Sequence, residues 1–327
     1  MVAERINTVS GDELMEMDLE PIGFTVEDLI PHGFHIVAGQ PKVGKSWLLL
    51  LLCLKVSSGE TFFGHDTQKG TVLYLCLEDS FTRIRQRLGY LTEDPPANLH
   101  FAIMANSLSA GLVDQIELFL YDHPGTRLVV IDTLQKIRNG TGDNYYSSDY
   151  KDIGALKSIS DRYGITILAV QHLRKQYDSD PHLMVSGSTG LTGAADGTYV
   201  LQKTDINSPE AKLYIRGRDI EEQVLTLHFD KDTCEWEYRG SDTPGGNAMK
   251  EDPAMQMLIH YLKQNSAFEG TASELIELLN LPVTSNILPK RLNKYQRELK
   301  KEGITFERRR TGERREIILS YTPLSDQ

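Results

Sequence analysis

Along the first two hundred residues, short apolar runs alternate with longer mixed segments. Phe34–Ala38, Thr71–Leu77, Leu99–Met104, Arg127–Ile131 and Ile165–Val170 read as strands. Thr71–Leu77 shows no polar alternation, which predicts a strand buried on both faces. Trp47–Leu54, a segment from Asp79 or Ser80 to Leu91, Leu112–Tyr121 and Ser148–Tyr163 read as the helices between them. Strand and helix alternating at this spacing imply βαβ units with right-handed crossovers and a parallel sheet. From Gly197 the helices stop. Thr198–Leu201, Lys212–Ile215, Val224–Leu227 and Cys234–Glu237 follow as strands, an antiparallel extension that closes the sheet.

Gly240–Asn247 combines Gly, Pro, Ser and Asp and reads as a linker. Beyond it the pattern predicts helices over Pro253–Lys263, Thr271–Leu279 and Ser285–Lys301, then two short strands, Thr305–Arg308 and Glu316–Leu319. Thr271-Ala272-Ser273-Glu274 is a capping box ahead of Leu275, Leu278 and Leu279. Three helices and a hairpin make a winged-helix-like pattern. The expected division is an acidic segment 1–30, an α/β domain 31–239, a linker 240–252 and a winged-helix-like domain 253–327.

The net charge of −11 hides an asymmetry. Glu4–Asp28 carries eight acids and only Arg5 as a base, whereas Lys290–Arg315 carries eleven bases and four acids. A basic tail in an acidic chain suggests a surface for phosphate backbones, although a solvated face reads the same way. In a winged helix, Lys290, Arg291, Lys294 and Arg297 of the third helix would face a groove, and Arg308–Arg310 of the wing would touch phosphates. A protein-docking module of the same fold is the alternative, so residues 253–320 are read as meeting duplex DNA or a protein partner. The longest apolar run, Trp47–Leu54, is too short to span a bilayer, and the N-terminus has no apolar signal core. The expected location is therefore the cytoplasm. Cys53, Cys76 and Cys234 have no metal-like spacing and read as buried free thiols.

Gly39-Gln40-Pro41-Lys42-Val43-Gly44-Lys45-Ser46 fits the phosphate-loop pattern G-x-x-x-x-G-K-[ST] between a strand and a helix. Such a loop wraps its backbone around phosphate oxygens and adds the amides and dipole of a helix N-terminus. Lys45 would reach the β/γ-phosphates of ATP, Ser46 would ligate magnesium, and Trp47 joins the loop in the nucleotide-binding set. Leu128–Asp132 is an apolar strand ending in an acid, which would hold magnesium through water. Glu78, at the end of Thr71–Leu77, is the favoured general base, with Asp79 beside it as the alternative. Gln171 and His172 end another strand, as sensors of the γ-phosphate or as loop anchors.

Two long connections complete the set. Residues 138–150, with Gly140, Gly142, Tyr145 and Tyr146, and residues 173–190, with Arg174, Lys175, Gly187 and Gly190, could line a channel for single-stranded DNA.

Together Gly39–Ser46 with its Pro-Lys insert, Tyr74–Asp79, Arg83, Arg87, Val129–Thr133 and Gln171-His172 resemble the RecA-like superfamily. The likeness is closer to RepA-type plasmid replicative helicases and related ATPases of phages and mobile elements, over roughly Val26–Phe229. The resemblance implies a RecA-like P-loop core, and a homo-oligomeric, hexameric ring with ATP and magnesium between subunits. It implies that Arg87 stacks on adenine and that Arg216 or Arg218 reaches a neighbour's γ-phosphate as a finger. The implied activity is that of an ATP-hydrolysing helicase or translocase on single-stranded DNA. The tail Pro253–Leu319 departs from compact RepA-type enzymes and leaves an ATP-switched DNA-binding regulator or helicase loader as the alternative.

Overall fold

The computed structural model describes residues 8–17, 19, 21–138, 145–174, 176, 178–186, 189–203, 205, 208–242, 249, 252–311 and 314–323. The chain divides into two compact units, Met1–Thr243 and Pro244–Gln327.

The first unit opens with α1 (Gly11–Glu16), β1 (Phe24–Val26) and β2 (Ile30–Pro31), then β3 (Gly33–Gly39), α2 (Lys45–Ser58), β4 (Thr71–Cys76) and α3 (Phe81–Leu91). It continues with β5 (Leu99–Ala102), α4 (Leu112–Asp122), β6 (Thr126–Asp132), α5 (Leu134–Ile137), α6 (Tyr145–Tyr163), β7 (Thr166–His172) and α7 (Thr189–Ala194). The last strands are β8 (Gly197–Lys203), β9 (Glu210–Gly217), β10 (Gln223–Phe229) and β11 (Trp236–Ser241). Nine of these strands form one sheet in the order β11-β10-β9-β8-β3-β7-β6-β4-β5. The six from β8 to β5 run parallel, and β9, β10 and β11 extend the sheet antiparallel. The expected α/β core is present. One detail differs from the expected meander, because its first strand, β8, pairs parallel to β3.

Period-two alternation sorts the central strands onto two faces. Val37, Val72, Tyr74, Leu128, Val130, Leu168 and Val170 pack with α2, whereas Ile36, Leu73, Leu75, Val129, Ile131 and Ile167 pack with α4 and α6. α2 is apolar nearly all round because it sits inside the fold, and Leu48 to Leu54 are all buried. The segment read as an acidic lead-in also contributes. β1 and β2 form a hairpin whose Phe24, Val26, Leu29 and Ile30 are buried, and two- and three-residue strands are too short to show periodicity. Cys53 and Cys76 are buried thiols as expected, while Cys234 is only partly covered. Among the described residues no helix is long and apolar enough to cross a membrane.

His35, in the middle of β3, is fully enclosed; its Nε2 lies 2.8 Å from the Pro31 carbonyl. Burial lowers its pKa to about 4. The unfolded chain protonates this ring near pH 6.5 and the folded chain only near pH 4, so stability falls as pH drops through that window. The expected loss from this group is about 2 kcal/mol at pH 5 relative to pH 7. Urea unfolding at the two pH values checks it: His35→Gln should show a shallower pH dependence than the wild type.

The second unit runs α8 (Pro253–Asn265), β12 (Ala267–Thr271), α9 (Ala272–Leu279), α10 (Leu288–Lys294), α11 (Gln296–Lys301), β13 (Ile304–Thr311) and β14 (Arg314–Tyr321). Its sheet has the order β12-β14-β13, antiparallel throughout. The capping box at α9 is formed: the Glu274 amide donates to Thr271 Oγ1 at 3.2 Å and the Thr271 amide to Glu274 Oε2 at 2.7 Å. One expectation is corrected. The helix read over Ser285–Lys301 begins at Leu288, because Pro289 fits only a first turn, and it breaks at the buried Tyr295. β12 falls where the sequence pattern gives no element, since its sequence AFEGT has neither alternation nor β-branched residues before Thr271.

Candidate active site

The phosphate loop joins β3 to α2, and its conformation explains its residues. A Cβ on Gly39 would lie 2.7 Å from the Leu201 carbonyl oxygen. Gly44 has φ +106° and caps α2 without a side-chain hydrogen bond, so the first-turn amides of α2 have no side-chain acceptor. Lys42 also takes a positive φ, +62°, a conformation uncommon outside glycine. Open amides in a tight loop at a helix start form an anion site. Lys45 is buried, and its Nζ donates to the carbonyls of Gly39 at 2.8 Å and Gln40 at 3.0 Å. Burial lowers its pKa, while the nearby Asp132 and Glu78 act in the opposite direction.

β7 lies between β3 and β6, yet α2 brings Ser46 across to the end of β6. Ser46 Oγ donates to Asp132 Oδ2 at 3.0 Å, and the Tyr74 hydroxyl donates to the same oxygen at 3.2 Å. Burial pushes the Asp132 carboxyl up, and these two hydrogen bonds and Lys45 pull it back. Glu78 and Asp79 follow β4, whose Cys76 pairs in register with Asp132. Asp79 is spoken for. It binds Arg87 at 2.7 Å and Arg83 at 3.1 Å, and accepts the Ser80 amide, while Ser80 caps α3. Glu78 is exposed, and its carboxylate accepts from Thr133 Oγ1 at 3.4 Å.

The donor set fits ATP with magnesium. The loop amides and Lys45 suit phosphates, and the hydroxyl of Ser46 and carboxylate of Asp132 are the hard oxygens magnesium takes. Among the described residues no three His, Cys, Asp or Glu side chains gather to cage an ion.

Gln171 and His172 end β7 beside this group. Gln171 Nε2 donates to the Ser186 carbonyl at 2.9 Å and its Oε1 accepts the His172 amide at 3.2 Å, so in this state it anchors the following loop. Arg87 lies over the Trp47 ring at 5.6 Å, and Trp47 also meets Tyr90 and Phe229. Arg216 and Arg218 are not brought to this site. Arg216 pairs with Thr198, which pairs with Ile36, so it lies about 10 Å down the strands from Gly39. It is held by Asp180 at 2.8 Å and Glu222 at 2.7 Å. Arg218 is more exposed, touching Asp196 at 3.4 Å and the Gly193 carbonyl at 3.2 Å. Of the loop residues, Gly140, Gly142, Lys175 and Gly187 lie outside the described residues, as do the side chains of Tyr145, Tyr146, Arg297 and Arg310. Arg174 pairs with Asp178 at 3.6 Å.

The sequence profile of the AAA domain family matches residues 4–178, more than half of the chain. The chain belongs to the AAA domain family. With its phosphate loop between β3 and α2 and its mostly parallel sheet, this AAA domain has the core of a P-loop protein. A KaiC-like protein from the hyperthermophilic archaeon Pyrococcus horikoshii OT3 superposes with a TM-score of 0.47 and 13% identity, over 66% of this chain and 94% of that one. No curated protein matches the sequence. The AAA domain match stops in the loop after β7, leaving β8–β11 and the second unit beyond it. Two polar groups of the AAA domain site, Tyr74 and Thr133, have no role assigned in the sequence, although both lie in stretches that carry the family resemblance. Tyr74 sits in an apolar strand where a tyrosine reads as core, and only its even spacing from Cys76 hinted that it faces α2.

Proposed function

We propose that the protein is a magnesium-dependent ATPase of the RepA-like type that couples hydrolysis to movement on single-stranded DNA, assembled as a hexameric ring. Glu78 carries the hydrolysis reading. Its carboxylate is exposed next to the Asp132–Ser46 pair, while Asp79 is tied to two arginines. In this reading Glu78 would take the proton of the attacking water, Ser46 and Asp132 would hold magnesium, Asp132 through water, and the loop amides with Lys45 would bind the phosphates. Magnesium bound with ATP supplies charge neutralisation at the β/γ-phosphates. Arg216 and Arg218 stand away from their own phosphate loop, which supports an arginine finger delivered to a neighbouring copy; Arg218 is the less restrained of the two.

The second unit supports a DNA partner. The order helix, strand, three helices and a hairpin, with β14 paired to β12, supports a winged-helix-like reading. Arg308, Arg309, Arg314 and Arg315 lie near the hairpin end; Arg309 is 3.8 Å from Glu269, Arg314 is 2.9 Å from Glu274, and Arg315 is exposed. A phosphate backbone would supply counter-charge to such a cluster. This basic tip favours, as a second reading, an ATP-switched regulator or loader that grips duplex DNA.

Molar mass in solution with and without ATP, followed by ATPase titration with single-stranded and duplex DNA, separates the readings. A translocase is expected to assemble and to hydrolyse faster on single strands. ATPase rates indifferent to single-stranded DNA, with no unwinding of a forked duplex, would rule it out. The regulator reading instead expects slow hydrolysis and duplex affinity that falls steeply with salt and with Arg309→Ala and Arg315→Ala.

A further inference from the structure

The geometry points to Trp236 as a positioning residue of the phosphate loop. It opens β11, beyond the matched family segment, yet its indole Nε1–H donates to the Gly44 carbonyl at 3.1 Å. That carbonyl also accepts the Leu48 amide at 3.1 Å, the first rung of α2, so both of its lone pairs are used. In a trans peptide unit the C=O and N–H point in opposite directions. The unit that carries the Gly44 carbonyl also carries the Lys45 amide. Fixing the carbonyl from outside therefore aims that amide at the mouth of the loop, where a phosphate would sit.

Steric contact reinforces the hydrogen bond. A Cβ on Gly44 would lie 2.8 Å from Trp236 Cζ2. The indole is 3% exposed, braced by Phe229 at 5.1 Å, and Phe229 leans on Trp47 at 6.2 Å. Trp47 directly follows Ser46, so both tryptophans of the chain are linked through Phe229 at the start of α2. The end of the antiparallel extension thus acts as an outer brace for a loop set by the parallel strands.

This inference rests on the nucleotide-binding reading, and its test separates the two. Protein labelled with 5-fluorotryptophan gives two fluorine resonances, assigned with Trp236→Phe, which keeps a ring against Phe229 and removes the donor. Adding ATP and magnesium is expected to shift the Trp236 resonance. Trp236→Phe is expected to raise the KM for ATP about fivefold, with kcat changed less than about twofold, the effect of one hydrogen bond that orients a binding group. The nucleotide-free melting midpoint should stay within about 2 °C of the wild type. A wild-type KM in Trp236→Phe, an unmoved Trp236 resonance at saturating ATP, or a fall in midpoint large enough to explain the lost affinity would overturn the role. Absence of ATP binding by the wild type would remove the nucleotide reading itself, and this role with it.

Discussion

Lys45→Ala is expected to abolish measurable ATP turnover and to weaken ATP binding. The ammonium is the cation held inside the loop, fixed by the carbonyls of Gly39 and Gln40. It faces two carboxylates, Asp132 and Glu78, which already act on its proton. Without it, a triphosphate would meet those two negative charges with only backbone amides to receive it. Loss of one preorganised stabiliser of this kind costs about 10²–10³ in rate, and here ground-state binding falls too, so kcat/KM should drop further still. Turnover and nucleotide titration on the same preparation check it, with circular dichroism to show that the fold is kept. A kcat/KM within tenfold of the wild type would be incompatible with this site.

Glu78→Gln is expected to lower kcat by about 10²–10⁴ while leaving ATP affinity nearly unchanged, the signature of a lost general base. The substitution preserves size and the contact with Thr133 Oγ1, and removes only the basic oxygen. Asp79→Asn makes the informative contrast. Asp79 secures Arg83 and Arg87 on α3, so its loss should act on nucleotide affinity, through Arg87 and the Trp47 ring beneath it, more than on kcat. Single-turnover rates of the two variants decide the assignment. If Asp79→Asn showed the greater loss of kcat with affinity intact, the two carboxylates would exchange roles.

The core was legible because its signals are local. A complete phosphate loop, apolar runs such as Thr71–Leu77 and strand-terminal acids such as Asp132 each need only a few residues to declare themselves. Contacts made by distant parts of the chain were not legible. Nothing near Tyr74 announces its bond to Asp132, and nothing near Trp236 announces Gly44, because each pairing exists only once the sheet has formed. The short hairpin of β1 and β2 escaped because two or three residues hold no period, and β12 because its strand character comes from β14 rather than from its own side chains. The choice between Glu78 and Asp79 lay open in the sequence for a related reason: it turns on the partners that α3 supplies, and Arg83 and Arg87 take Asp79.

The position of Arg216 and Arg218, down the strands from their own phosphate loop, changes what is being counted. If a finger crosses to a neighbour, the catalytic unit is a junction between chains and not a chain. An open string of n copies then has n − 1 working junctions, and closing it adds one without adding protein. Specific activity would follow the number of junctions, rising with dilution reversed and saturating when the last gap shuts, so that the enzyme's output reports the topology of its own assembly.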